Sequence, residues 1–151
     1  MGLLECASGA SVWRGYYYHL EKRVPVYIKT GNTTYRAKVS GNASEPYTVE
    51  IDIAHPRKSK CNCLHADGKR IICKHMIALY FTVFPEEAQR FYNEAVAYQE
   101  EEEKRQKELD NAVVKHIHGL KKYEMEELLL KLLFEGPEWQ LDRFIDEYIE
   151  Y

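Results

Sequence analysis

The sequence has no long apolar run and few cysteines. No stretch reaches the roughly eighteen consecutive apolar residues of a membrane-spanning helix, so we expect no membrane span. The segment Met1–Cys6 carries an acid and no basic residue, so we expect no secretory signal there. The chain has four cysteines, which in a reducing compartment stay thiols or bind metal. We expect a cytoplasmic protein, or a nuclear one in a eukaryote.

Several catalytic motifs are also missing. The chain has no His-Glu-x-x-His helix of metalloproteases and no Gly-x-x-x-x-Gly-Lys loop of nucleotide hydrolases. It also lacks the Pro-Cys-x-x-Cys segment that the nucleobase deaminase pattern requires. These absences predict that the protein is not an enzyme.

The charge is divided unevenly along the chain. Residues 1–84 contain twelve Lys or Arg and six Asp or Glu, whereas residues 85–151 contain nine and eighteen. The net charge of −3 therefore hides a basic half and an acidic half. We predict two domains with these bounds, which either meet different partners or are two solvated faces of one protein.

Residues before Pro85 show β-like patterns. Val24–Lys29 is an extended run in which Pro25 favours a sheet edge. Thr33–Ser40 and Pro46–Ile53 alternate between apolar and polar residues, and the segments between the runs are turn-rich. The predicted inward residues are Tyr35, Ala37, Val39, Tyr47, Val49, Ile51 and Ile53. The pattern predicts a small antiparallel β-meander.

The period becomes helical after Cys73. Met76–Phe84 is apolar nearly all round, which predicts a short buried helix. A long helix is predicted over about 86–117. Two more follow over about 122–134 and 138–150, joined by a turn at Gly136-Pro137. The predicted fold class is α+β, with a meander, a metal knuckle and a helix followed by an all-α extension.

Three of the four cysteines lie close together with a histidine. The spacing is Cys61-x-Cys63, nine residues, then Cys73-x-His75. Four such ligands suit the tetrahedral coordination of Zn²⁺, provided that Cys73 and His75 straddle the start of the helix. His65 is the alternative fourth ligand. We prefer His75 because it opens an apolar helix that needs anchoring.

This constellation resembles the SWIM-type zinc finger, whose pattern is Cys-x-Cys, a variable spacer, then Cys-x-His. The resemblance covers about residues 13–84, and one departure is Leu64, where many members have proline. Further matching segments are Arg14-Gly15-Tyr16-Tyr17, Arg23-Val24, residues 37–41, residues 47–51 and residues 73–80. The resemblance implies a ββα-like zinc fold that binds DNA or proteins without catalysis.

Six cations surround the predicted zinc ligands. Such a cluster favours nucleic-acid binding through phosphates, with DNA as the expected ligand and weak sequence specificity. The alternative is that these six charges only make the surface of the protein soluble. The candidate contact residues are Arg57, Lys58, Lys60, Lys69, Arg70 and Lys74.

The acidic residues 85–151 do not favour DNA and suggest a second function. Their apolar hairpin residues, Trp139, Phe144, Tyr148 and Tyr151, either pack on the long helix or offer a groove to a protein partner. The alternative function is therefore a protein-interaction or regulatory module. The resemblance to SWIM-type zinc fingers further implies that such a module is the amino-terminal part of a helicase-like, chromatin-remodelling-type ATPase or belongs to a mobile-element protein. The sequence leaves the oligomeric state open.

Overall fold

Four antiparallel strands form a meander in the computed structural model, which describes residues 2–149. The strands are β1 (Tyr27–Lys29), β2 (Thr34–Val39), β3 (Tyr47–Asp52) and β4 (Lys60–Cys61), in that order across the sheet. Alternation places Val39, Val49 and Ile51 on the buried face. The predicted meander is thus confirmed, with β1 at an edge. The two-residue β4, which follows a 3-10 turn at Pro56–Lys58, was not predicted because it is too short to show alternation.

Two helices pack together beside the sheet. Helix α1 (Gly9–Leu20) starts at Ser8, whose hydroxyl accepts a hydrogen bond from the backbone N–H of Ser11. Helix α2 (Lys74–Val83) packs against α1 and against β2, β3 and β4. The predicted buried helix is α2, most of whose residues are inaccessible to solvent. Helix α1 was not predicted.

The third helix, α3 (Pro85–Gly119), begins beside the sheet domain. Pro85 opens it with Glu86 and Glu87 in the first turn, which suits the positive end of the helix dipole. Ala88 is buried, and the ring of Phe91 lies 4.9 Å from that of Trp13. The chain forms two compact units, residues 1–96 and 97–151, so these first turns belong to the first unit. The predicted domain boundary at residues 84 and 85 stays a prediction.

The second unit contains the rest of α3 and a helical hairpin. Helices α4 (Lys122–Phe134) and α5 (Glu138–Tyr148) meet at the predicted turn. A side chain on Gly136 would collide with the carbonyl oxygen of Leu132, so glycine allows this tight turn. No described residue of α4 or α5 is buried.

The aromatic residues of the hairpin differ in exposure. Phe144 is half-buried, whereas Trp139 and Tyr148 are 60% and 69% exposed. Tyr151 lies outside the described residues. Among residues 2–149, no helix is both long enough and apolar enough to cross a membrane.

Candidate zinc site and basic groove

Three local structures bring the predicted metal ligands together. Cys61 ends β4, and Cys63 begins a turn in which its carbonyl oxygen accepts hydrogen bonds from the N–H groups of Ala66 and Asp67. Gly68 has φ +67°, a left-handed conformation that glycine adopts without strain and that helps the chain to reverse. Cys73 is the N-cap of α2 and His75 its second residue. The pair therefore straddles the helix start, as the spacing requires.

The geometry of the cluster fits a zinc ion. The ligand atoms of Cys61, Cys63, Cys73 and His75 all lie within 4.8 Å of one another. His75 Nδ1 is 3.6 Å from Cys61 Sγ and 3.8 Å from Cys73 Sγ. Tetrahedral zinc with ordinary ligand bonds puts such atoms about 3.6 Å apart. All four residues are buried, and four protein ligands would leave no open position for a substrate.

His75, and not His65, completes the cluster. His65 is exposed and lies outside the group of clustered ligand atoms. The imidazole of His75 stacks on Tyr47 with the ring centres 4.3 Å apart. Its Nε2 atom is buried without a hydrogen-bond partner among the described residues. A Cβ atom on Gly41 would approach this nitrogen to 3.3 Å, so a glycine there leaves room for the ring.

Two of the cysteines, Cys61 and Cys73, lie within hydrogen-bonding distance of each other. Cys61 donates a hydrogen bond to Cys73, which lowers the pKa of the Cys73 thiol; further hydrogen bonds from His75 and the Met76 backbone act in the same direction. The same hydrogen bond, together with burial, raises the pKa of Cys61. Two buried sulfurs held this close together can bind one cation.

A groove lies next to the cluster on the solvent face of the sheet. Its volume is about 770 Å³, and we call it the basic groove. Its floor carries Arg36 and Glu50, while one wall includes residues 57–62 and the other residues 66–70. Five of the six predicted nucleic-acid contacts line it, namely Arg57, Lys58, Lys60, Lys69 and Arg70.

Two of the three acids of the basic groove already have partners on the chain. Arg36 donates a hydrogen bond of 2.9 Å to Glu50. Asp52 accepts hydrogen bonds of 3.0 Å from the Thr33 hydroxyl and from the Ala54 and His55 backbone. The lining contains six cations and three acids, the third being Asp67, so its net charge is positive.

The sequence did not predict the positions of two basic residues. Arg36 lines the groove; its outward position on β2 was visible in the alternation, but its closeness to residues 57–70 depends on the sheet pairing. Lys74 does not line the groove. Its ammonium lies 4.6 Å from the centre of the Tyr18 ring, because the start of α2 faces α1 at this point.

The comparisons agree with the geometry of the finger. Residues 47–84 match the model of the SWIM zinc finger family. No curated protein and no solved structure matches the chain significantly. A SWIM zinc finger is a zinc-binding module that interacts with nucleic acid or protein and is generally non-catalytic. The four clustered side chains fit Zn²⁺, and all four lie within the residues that match the SWIM zinc finger.

Proposed function

We propose that this chain is a non-catalytic module in which a zinc ion shapes the basic groove and the groove binds nucleic acid. The ligands of the ion are Cys61, Cys63, Cys73 and His75. One observation carries the proposal: cations from two separate segments flank the ligands and line a single groove.

The metal connects the two walls of the groove. Lys60 immediately precedes Cys61, and Lys69 and Arg70 lie on the loop between Cys63 and Cys73. Coordination of all three cysteines would close this loop and hold it beside the sheet. Zinc thus promotes nucleic-acid binding indirectly, because it fixes the positions of these basic side chains while the ion itself is buried.

The composition of the groove favours backbone contacts. Its lining residues include no aromatic side chain, so the described groove offers no surface on which bases could stack. Lysines and arginines on both walls can neutralise phosphates, which carry no sequence information. We propose DNA as the ligand, and because phosphate contacts do not read the bases we expect a weak sequence preference.

Fluorescence anisotropy with a labelled DNA duplex tests this function. Each neutralised phosphate contributes about −0.9 to the slope of log K against log salt. Replacing Lys69 and Arg70 by glutamine is expected to make the slope shallower by about the contribution of two phosphate contacts. The matched control replaces Lys104 and Arg105 by glutamine. These two residues are also a lysine followed by an arginine, and they are exposed on α3, so their replacement should leave the slope unchanged.

Two results would contradict the nucleic-acid function. One is no detectable binding at about 50 mM salt, where phosphate contacts are strong. The other is an equal loss of binding in the Lys104 and Arg105 control, which would mean that only the overall charge matters. A single-stranded DNA and an RNA duplex in the same series identify the preferred nucleic acid.

Protein interaction is the second candidate function. The observation that favours it is the exposure of large apolar side chains in residues 97–149. In this case the chain is a regulatory or targeting module, including the amino-terminal part of a helicase-like ATPase or a mobile-element protein. Stoichiometric capture by the full chain that survives the Lys69 and Arg70 substitutions would support it, and no stoichiometric capture would count against it.

A further inference from the structure

A second, apolar pocket adjoins the basic groove at one edge of the sheet. Among the described strands, β1 pairs only with β2 and is therefore an edge strand. The pocket beside it has a volume of about 300 Å³, and we call it the edge pocket. It is lined by Pro25, Val26, Tyr27, Ile28, Arg36, Ala37, Lys38 and Thr48.

Two exposed aliphatic side chains give the edge pocket its apolar character. Val26 is 70% exposed and Ile28 is 57% exposed. Ile28 pairs with Arg36, which pairs in turn with Glu50, so Ile28 lies on the same face of the sheet as the basic groove. Val26, two residues earlier, follows the same alternation. Exposed apolar side chains that lie together inside a polar rim mark an interaction site.

The edge pocket is continuous with the basic groove. Arg36 and Thr48 line both. Lys38 donates a hydrogen bond of 2.7 Å to the hydroxyl of Thr48, a neutral partner that does not cancel the charge of the lysine. Among the described residues that line the edge pocket, none is acidic. A ligand that extends from the groove into this pocket therefore needs an apolar group next to a negative charge.

A nucleotide combines these two properties. Its phosphate is negative, and every base has a planar face that packs on other groups. Proteins that hold a base outside the stack contact its faces with aromatic or apolar side chains. A paired base inside a duplex is covered by its neighbours on both faces, so only an unpaired base fits such a pocket.

We propose that the edge pocket holds one unpaired base of a DNA strand whose phosphates lie in the basic groove. The inference rests on the proposed nucleic-acid function and specifies its ligand as DNA with a single-stranded end. Lys38 then lies beside the phosphate that connects the bound base to the rest of the strand. Aliphatic walls contact the faces of all bases alike, so the sequence preference remains weak.

The width of the sheet sets the length of single strand that this binding requires. Strands β1 and β4 are three strand spacings apart, or about 14 Å. One strand of a DNA duplex advances about 3.4 Å per nucleotide, so about four nucleotides cross the sheet. An overhang of this length reaches the edge pocket while the phosphates of the adjoining duplex remain in the basic groove.

Fluorescence anisotropy of the full chain with three labelled DNAs tests the edge pocket. The first is a blunt duplex, and the second is the same duplex with an overhang of about four nucleotides. The third has the same overhang built from abasic nucleotides, which keep the phosphates but lack the bases. We expect the intact overhang to bind about fivefold more tightly than the abasic overhang, because contact with a base adds affinity that phosphates do not supply.

A double substitution in the edge pocket identifies where the base binds. Val26→Thr with Ile28→Thr makes the pocket more polar but keeps β-branched side chains that suit a strand. This variant should bind the intact and abasic overhangs equally. The matched control, Val113→Thr with Ile117→Thr, changes residues that are 57% and 42% exposed on α3, and it should keep the difference. Zinc content and circular dichroism verify that both variants remain folded.

Two results would overturn the base pocket alone. Equal binding of the intact and abasic overhangs by the parent chain would assign the pocket to another occupant, such as an extended peptide added to β1. A preference for the intact overhang that survives the threonine substitutions at 26 and 28 would place the base elsewhere. In both cases, a salt slope for the blunt duplex that depends on Lys69 and Arg70 still supports the proposed function. A parent chain that binds none of the three DNAs would overturn the function and the pocket together.

Discussion

His75 shows how a single residue depends on neighbours that do not bind the metal. Its Nδ1 atom faces the sulfurs of Cys61 and Cys73, while Tyr47 stacks on the ring. Gly41 leaves the space that Nε2 occupies. Residues that orient a metal ligand commonly change metal affinity by about 10–100-fold when they are replaced.

Replacing His75 by alanine should strongly reduce zinc binding and stability, whereas replacing His65 by alanine should change them little. His75→Ala removes one of four zinc ligands, and structural zinc contributes about 10–16 kcal/mol of binding energy in finger peptides. His65 is exposed, so His65→Ala should change stability by no more than about 0.5 kcal/mol. Elemental analysis and thermal melting measure both effects. The reverse order of severity would assign the fourth ligand to His65.

Gly41→Ala tests the support of the imidazole without changing a ligand. The new Cβ atom would collide with the Tyr47 ring and press on His75 Nε2. Overpacking of this kind costs about 1–3 kcal/mol, so zinc should be lost to a competing chelator at lower chelator concentration. Gly119→Ala, where nothing lies within 4 Å, is the control. Equal zinc retention in both variants would show that Tyr47 and His75 adjust freely.

At the scale of elements, α1 depends on a close approach to α2. A side chain on Gly15 would collide with Ile77 and would lie 2.8 Å from the carbonyl oxygen of Lys74. The two helices can therefore meet at this distance only if position 15 lacks a Cβ atom. This contact places α1 against the helix that carries His75.

Gly15→Ala should destabilise the first unit although alanine favours helices. The gain in helix propensity is about 1 kcal/mol, but the collision involves backbone atoms that cannot move aside, and overpacking costs about 1–3 kcal/mol. Gly9→Ala, in the same helix with nothing within 4 Å, should be neutral or slightly stabilising. Denaturant unfolding of both variants measures the difference. A Gly15→Ala protein as stable as the parent would contradict the close packing.

The missed elements show what local pattern can and cannot predict. Strands β2 and β3 and helices α2–α5 have long periodic patterns, and the sequence predicted them. Helix α1 contains two glycines and three consecutive tyrosines, residues that favour other conformations. Its stability comes from packing on α2, which a local pattern does not contain. Strand β4 is likewise defined by its pairing with β3.

The parts of the candidate site that lie close together in the sequence were the easiest to predict. The four clustered side chains lie within fifteen residues. Their spacing indicated the three cysteines, and the choice of His75 over His65 depended on the apolar helix that His75 opens. The basic groove was predicted only in part. Arg36 lines the groove because β2 pairs with β3. Lys74 does not line it, because the start of α2 faces Tyr18.

At the scale of the whole molecule, the basic surface and the exposed apolar surface belong to different units. The first unit contains the four clustered metal ligands and the basic groove. The second unit contains the acidic segment of α3 and the uncovered apolar side chains. A change that affects only one unit should therefore change only the properties of that unit.

Removal of zinc should affect the two units unequally. The binding energy of structural zinc, about 10–16 kcal/mol, matches or exceeds the usual stability of a domain, about 5–15 kcal/mol. Chelation is therefore expected to unfold the finger and α2, and to abolish binding by the basic groove. Residues 97–149 supply none of the clustered ligands, so their helices should persist.

Hydrogen exchange with and without a chelator measures this difference. Amides of β4, residues 63–73 and α2 should lose protection, whereas those of α4 and α5 should change little. Added zinc should restore protection in the finger. Unchanged exchange in α2 after complete metal removal would show that its apolar packing is sufficient without the ion. Equal loss of protection in α5 would show that the two units unfold together.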